Sequence, residues 1–172
     1  MLNKDEIIFT VDANNKPIEP MQRQKVHAEG IWHRTTDIIV VNHKRELICH
    51  KRSMQKDTGA GLWDSAFGGH TLAGAESLDA AALELFEESG LKPKLKDLKF
   101  IGIVKYMSQS GNNKEFRYAY LYKWNGKIED LNLEKDEIDE AKWVPLDVVK
   151  TKRDDPEWSP MPYIDILLRE LS

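Results

Sequence analysis

One cysteine, Cys49, stands in 172 residues. A lone thiol closes no internal disulfide and supplies no cysteine-based zinc site. Long apolar runs are missing as well: no window approaches the ~20 apolar residues that a membrane helix needs. The opening stretch MLNKDEIIFTVD carries acids where a secretory leader would carry an apolar core. A reduced, cytoplasmic protein with no membrane partner is therefore expected. Neither sign of charge dominates, with 25 Lys and Arg against 29 Asp and Glu and a net charge of −4. That balance argues against a bulk nucleic-acid binder. With 41% hydrophobic and 31% charged residues and no repeat or low-complexity tract, residues 1–172 are read as one domain with a real core.

The most informative absence is local. From Asp57 to Leu91 there is no Lys or Arg, but there are seven acids and six of the ten glycines, Gly59, Gly61, Gly68, Gly69, Gly74 and Gly90. Unneutralised carboxylates beside glycine-rich turns are costly unless something compensates them, and a bound divalent cation is the obvious candidate.

Apolar periodicity gives a coarse map. Residues 6–12 read as a short strand, and 31–41 and 46–52 as a hairpin across Asn42–Arg45. Residues 63–68 form a further short apolar stretch. Residues 98–107 and 115–124 form a second hairpin across Ser110-Gly111-Asn112-Asn113. A brief strand at 141–144 and a helix from about Pro160 to Leu171 complete the chain. Strands on both sides of one strong helix imply an α+β, or α/β/α, sandwich with a mixed sheet between helices.

That helix is residues 77–89, with Ser77 as expected N-cap and Gly90 as its C-terminal stop. At 100° per residue, Leu78, Ala81, Ala82 and Leu85 share one arc, the core face. Glu84, Glu87 and Glu88 share the neighbouring arc, spaced i, i+3, i+4. Spacing alone equally allows a solvated acidic face. Against that, Glu84 and Glu88 repel each other with no basic residue on the helix to offset them. Acids toward the C-terminal half also oppose the helix dipole. A hard, oxygen-seeking cation such as Mg²⁺ would relieve both, and would leave room for substrate phosphates.

Residues Gly69 to Leu91 resemble the Nudix box, G-x5-E-x7-R-E-U-x-E-E-x-G-U, where U is aliphatic. The resemblance puts the first glycine on Gly69, the metal-binding glutamates on Glu84, Glu87 and Glu88, and the closing pair on Gly90-Leu91. It makes Gly69, through its carbonyl, a further metal ligand. Two positions depart: Ala75 replaces the first Glu and Leu83 the Arg, two residues that typically form a salt bridge in the family. Losing both strands no buried charge. The segments His27–Arg34, Ile38–Val41, Lys51-Arg52, Gly61–Ser65 and Trp143–Leu146 resemble the branch that holds isopentenyl diphosphate isomerase and its hydrolase-like relatives. The isomerases carry a catalytic Cys where this chain has Gly68, and a second strand glutamate where it has Arg117. A glycine cannot transfer a proton at carbon, which argues against isomerase activity.

The resemblance implies Mg²⁺-dependent hydrolysis, with Mn²⁺ as a substitute. The substrate would be a nucleoside diphosphate linked to another moiety, or a related organic diphosphate. Metal held by the three glutamates would acidify the attacking water. The general base is left open among the helix acids, Glu137 and Glu115, and Glu137 reads equally well as a solvated loop acid. His33, Arg34, Arg52, Trp63 and His70 are candidate substrate contacts, Arg because it grips phosphate bidentately. At most one of Lys51 and Arg52 should face inward. His27, His33 and His70 resemble the metal-binding histidines of the isomerases, although satisfied polar residues or substrate contacts are the commoner fate. A catalytically weak, nucleotide-binding regulatory domain is the alternative reading, motivated by Ala75 and Leu83. Many family members dimerise, which leaves a homodimer open.

Overall fold

The computed structural model describes residues 5–56 and 58–172, so Asp57 of the acidic window lies outside the described residues. Its elements are β1 (Ile7–Ile8), β2 (Met21–Gln22), α1 (Arg23–Glu29), β3 (Trp32–Val41), β4 (Glu46–Arg52), β5 (Trp63–Asp64), α2 (Ser77–Ser89), β6 (Leu98–Met107), β7 (Lys114–Lys123), β8 (Ile138–Pro145), α3 (Leu146–Val149) and α4 (Ile164–Glu170). Six strands form a mixed sheet in the order β5-β4-β3-β7-β6, with β8 on β4. β3 and β7 run parallel from Trp32↔Lys114 to Val41↔Lys123, while β6 and β7 form the antiparallel hairpin.

Alternation along the strands sorts the core into two layers. Ile39, Val41, Leu47, Cys49 and Leu121 pack toward α4, against Ile164 and Leu167. Ile38, Val40, Ile48 and Tyr120 face the other way and meet Ala81 and Leu85 of α2. The sheet thus lies between helices, in the α+β arrangement expected. No helix among the described residues is long and apolar enough to cross a membrane.

One topological detail makes the site. β3 and β4 pair only at Val41↔Leu47 and then diverge. The segment after β5 fills the widening gap: Phe67 exchanges both backbone bonds with Ile38 at 2.7 and 3.0 Å, and Thr36 N–H donates to the Gly69 carbonyl at 2.9 Å. The glycine-rich stretch is thereby stitched to the middle of the sheet, beside the C-terminal half of α2.

Local expectations met three corrections. Ser77 is the first helical residue rather than the cap; Glu76 precedes the helix, and the Ser77 hydroxyl meets the Tyr120 hydroxyl at 2.6 Å. The strand expected at 6–12 narrows to Ile7–Ile8, with single bridges at Thr10 and Val11. Helix α1 went unread because its seven residues bury Val26 alone, too few apolar positions to give a period.

Candidate active site

The bounds of α2 agree with the sequence, and Gly90 ends it in the left-handed conformation at φ 76°. Glu88 is buried at 7% exposure, with its Oε2 accepting the Gly68 N–H at 2.9 Å. Glu84 presses its carboxylate against Gly69, where an added Cβ would lie 2.5–2.7 Å from the carboxyl atoms. Only glycine lets these two groups approach so closely. Burial, then repulsion from Glu88 and Glu87, pushes the Glu84 carboxyl up to about 8. Burial likewise raises Glu88 to about 7, although the Gly68 N–H and the Lys56 and Arg52 cations pull it back. Glu87 is exposed and lines the same cleft.

Glu84 and Glu88, which resist ionising because they are buried, and Glu87 beside them form an oxygen donor set suited to a hard divalent cation. The Gly69 carbonyl already accepts the Thr36 N–H, which leaves it one lone pair for an ion. The Ala75 and Leu83 departures leave this frame intact. Leu83 stays 48% exposed, and the loop is held by backbone bonds instead: Thr71 N–H to Arg34 O at 3.0 Å, Phe9 N–H to Thr71 O at 2.8 Å and Ala73 N–H to Ile7 O at 3.0 Å.

The cleft measures ≈1140 Å³ and gathers Glu84, Glu87, Glu88, Glu115 and Glu137 with Arg52, His70 and Gly69. Arg52 faces it and Lys51 does not, in keeping with at most one of the pair facing inward, and Arg52 is steadied by the Thr58 carbonyl at 3.0 Å and by Asp64 at 3.7 Å. Lys56, which the sequence did not single out, donates to Glu137 and lies close enough to Glu88 and Glu84 to be felt by both; burial lowers its own pKa. Its one sequence signal is the four-residue step from Arg52.

Across the floor, Arg117 is held by Asp37 through Nε at 2.7 Å and a second nitrogen at 2.5 Å, and faces Glu115 at 3.8 Å. Thus a fixed cation stands where the isomerases carry their second glutamate. Glu115 also accepts the Asn113 side-chain N–H at 3.0 Å and lies 3.8 Å from His33 Nε2.

His27, His33 and His70 come together with one ligand atom of each within 4.8 Å of the others. The His33 Nδ1–H donates to the Ile31 carbonyl at 3.0 Å, so its Nε2 carries the lone pair and finds no hydrogen-bond partner in the protein. Burial lowers the pKa of both His33 and His70 and keeps the imidazoles neutral. That is the state in which imidazole binds a metal, and the backbone bond to Nδ1 orients the ring for it. The three imidazoles offer a donor set suited to a single ion of borderline softness.

Two candidates lie elsewhere. Arg34 lies over the Phe9 ring at 4.4 Å and bonds Asn15, away from the cleft. Trp63 stacks on Trp158 at 6.1 Å under the Lys142 ammonium and joins the core layer against α4. Neither lines the cleft, because each points to the side of its strand away from it. Gly68 settles the question of the missing thiol. At φ 152° its added Cβ would fall 1.9 Å from the Thr36 carbonyl oxygen, so this backbone admits no cysteine there. Cys49 is fully buried, and burial drives its pKa upward, which makes it inert.

A mixed sheet clasped by helices thus carries two glycine-held carboxylates, Glu84 and Glu88, with Glu87 beside them at the cleft. The NUDIX domain family matches residues 31–163, and the chain belongs to it. An uncharacterised Nudix hydrolase of Clostridium acetobutylicum is 34% identical over 140 residues, 78% of this chain and 68% of the relative. An isopentenyl-diphosphate Δ-isomerase of Pectobacterium atrosepticum is 34% identical over 85 residues, 49% of this chain and 48% of the relative. Among solved structures, DR0079 of Deinococcus radiodurans superposes with TM-score 0.72 at 15% identity, covering 95% of this chain and 98% of that one. The chain is accordingly a pyrophosphohydrolase-type enzyme of the branch that also holds the isomerases.

Proposed function

We infer that the chain hydrolyses a nucleoside diphosphate linked to a second moiety, or a related organic diphosphate, with Mg²⁺ held by Glu84, Glu87, Glu88 and the Gly69 carbonyl. The carrying observation is the carboxylate trio of α2, with Glu88 bound by Gly68 N–H, Glu84 packed on Gly69 and Glu87 exposed beside them, at the wall of a cleft that also holds Arg52, Lys56 and Glu137. Bound Mg²⁺ supplies neutralisation of phosphate charge and a more acidic attacking water, and Mn²⁺ serves in its place. Arg52 and Lys56 supply the cations for the non-bridging phosphate oxygens.

Lys56 donates to Glu137 in the ligand-free protein. When the ammonium turns to phosphate, the Glu137 carboxylate is released to accept a proton from the attacking water. Glu115 is the weaker candidate for that role, because Asn113, Arg117 and His33 already surround its carboxylate. The backbone-held loop favours turnover over the regulatory alternative, since Ala75 and Leu83 cost the site none of its ligands. A homodimer remains the family's expectation, read by light scattering.

The test is Mg²⁺-dependent cleavage of a panel of nucleoside triphosphates, dinucleoside polyphosphates, nucleotide sugars and isopentenyl diphosphate, with Glu87→Gln and Glu88→Gln alongside. Cleavage that both variants lose by at least a hundredfold is the expected result. Binding without turnover across the panel would favour the regulatory reading.

A further inference from the structure

We propose that the outer edge of β6 is the interface of a symmetric dimer, in which two copies of the chain set their β6 strands side by side and antiparallel about a two-fold axis near Ile103. This gives the homodimer expectation a surface and stands apart from the diphosphate chemistry. β6 ends the sheet path β5-β4-β3-β7-β6, and among the described residues no strand pairs with its outer side. Its ten residues make that edge ~33 Å long. An open edge of this length presents a row of backbone donors and acceptors whose complement is another strand edge.

Three side chains mark the same strand. Phe100, Ile103 and Met107 are 50%, 43% and 57% exposed. Simple alternation would put Phe100 and Ile103 on opposite faces of the sheet. The bulge between Phe100 and Gly102 shifts the register, so that Phe100 opposes Tyr120 and Ile103 opposes Tyr118, two residues that share a face. Met107 follows on that face, four residues beyond Ile103. The three residues expose on the order of 300 Å² per copy. The strand edge beside them adds main-chain area toward the ~800 Å² per partner of a standard interface.

Charge favours a second copy over any other partner. At a two-fold axis each residue meets its own duplicate, so a charge placed there repels itself. The middle of β6, Phe100-Ile101-Gly102-Ile103-Val104, carries none. The strand's flanking lysines, the residue type that ordinarily guards an open edge, are both engaged within their own chain. Lys99 pairs with Glu170 of α4, and Lys105 lies over the Trp32 ring and donates to the Ala13 carbonyl at 2.5 Å. Isologous pairing also covers the edge it uses, so assembly closes at two copies.

Sedimentation velocity across the micromolar range should show a species of twice the chain's 19.8 kDa. Ile103→Lys and Phe100→Lys should each weaken that association at least tenfold, with folding checked by circular dichroism; both side chains are half exposed, so either variant carries the test if the other fails to fold. Ile103→Cys should be joined to its duplicate by a short bis-maleimide. Wild type gives the blank, because Cys49 is fully buried. Val148→Cys, equally exposed on α3 beside β4 and β8, should stay unlinked. A monomer throughout, a dimer that both lysine variants leave intact, or linkage at Val148 but not at Ile103 overturns the interface. Hydrolytic activity is scored separately. Dimerisation through β6 without turnover of the substrate panel overturns the hydrolase reading and keeps the interface, and turnover by a strict monomer does the reverse.

Discussion

Replacing Glu88 by Gln should stabilise the metal-free protein at neutral and alkaline pH while destroying its activity. Glu88 is 7% exposed, and burial raises its pKa from 4.5 to about 7. A carboxyl with a raised folded-state pKa binds its proton more tightly when folded. Its penalty is absent below about pH 4.5, grows as pH rises toward about 7, and is constant above. The shift of roughly 2.5 pH units corresponds to about 3 kcal/mol. In a domain of this size that is about 6–12 °C in Tm. Gln carries no charge and still presents an oxygen to the Gly68 N–H. In EDTA, scanning calorimetry from pH 5 to pH 8 should show wild-type Tm falling by about that amount relative to Glu88→Gln. Mg²⁺ should recover the loss for wild type alone. Parallel Tm profiles for the two proteins in EDTA would refute the claim that Glu88 is an uncompensated buried charge awaiting a cation.

Three further outcomes follow from the same geometry. Gly69→Ala puts a methyl 2.5–2.7 Å from the Glu84 carboxyl atoms and must displace that group; Mn²⁺ affinity by isothermal calorimetry should fall at least tenfold with the far-UV spectrum unchanged. Arg117→Ala leaves Asp37, 3% exposed, with its cation removed; denaturant unfolding should register a loss of about 3–5 kcal/mol. Gly68→Cys should confer no isomerisation of isopentenyl diphosphate and should lower Tm or abolish folding, because its Cβ would collide with the Thr36 carbonyl; a stable, isomerising variant would contradict the backbone described.

Where the sequence was legible, a short-range rule governed the outcome. Helix α2 ended at Gly90 because a left-handed stop is local, and Glu84, Glu87 and Glu88 shared a face because helical geometry alone fixes that spacing. Ser77 was misread because a hydroxyl can serve a helix end or a distant partner, and the Tyr120 hydroxyl lies 43 residues away. Arg34 and Trp63 were assigned by type, whereas the face each presents depends on strand register, which one residue reverses.

The chain's own order of residues determined the carboxylate trio, the glycine pair beside it, the absence of a catalytic thiol and the alternating core of the sheet. Each follows from covalent identity or from a period of two or 3.6 residues. Tertiary structure alone decided that β3 and β4 splay apart, that the glycine-rich segment fills the gap, and that Lys56 meets Glu137 while Arg117 meets Asp37. It alone brought one ring nitrogen each of His27, His33 and His70 within 4.8 Å of the others. Those contacts join residues up to 81 positions apart, and they are set by how strands pair and layers pack.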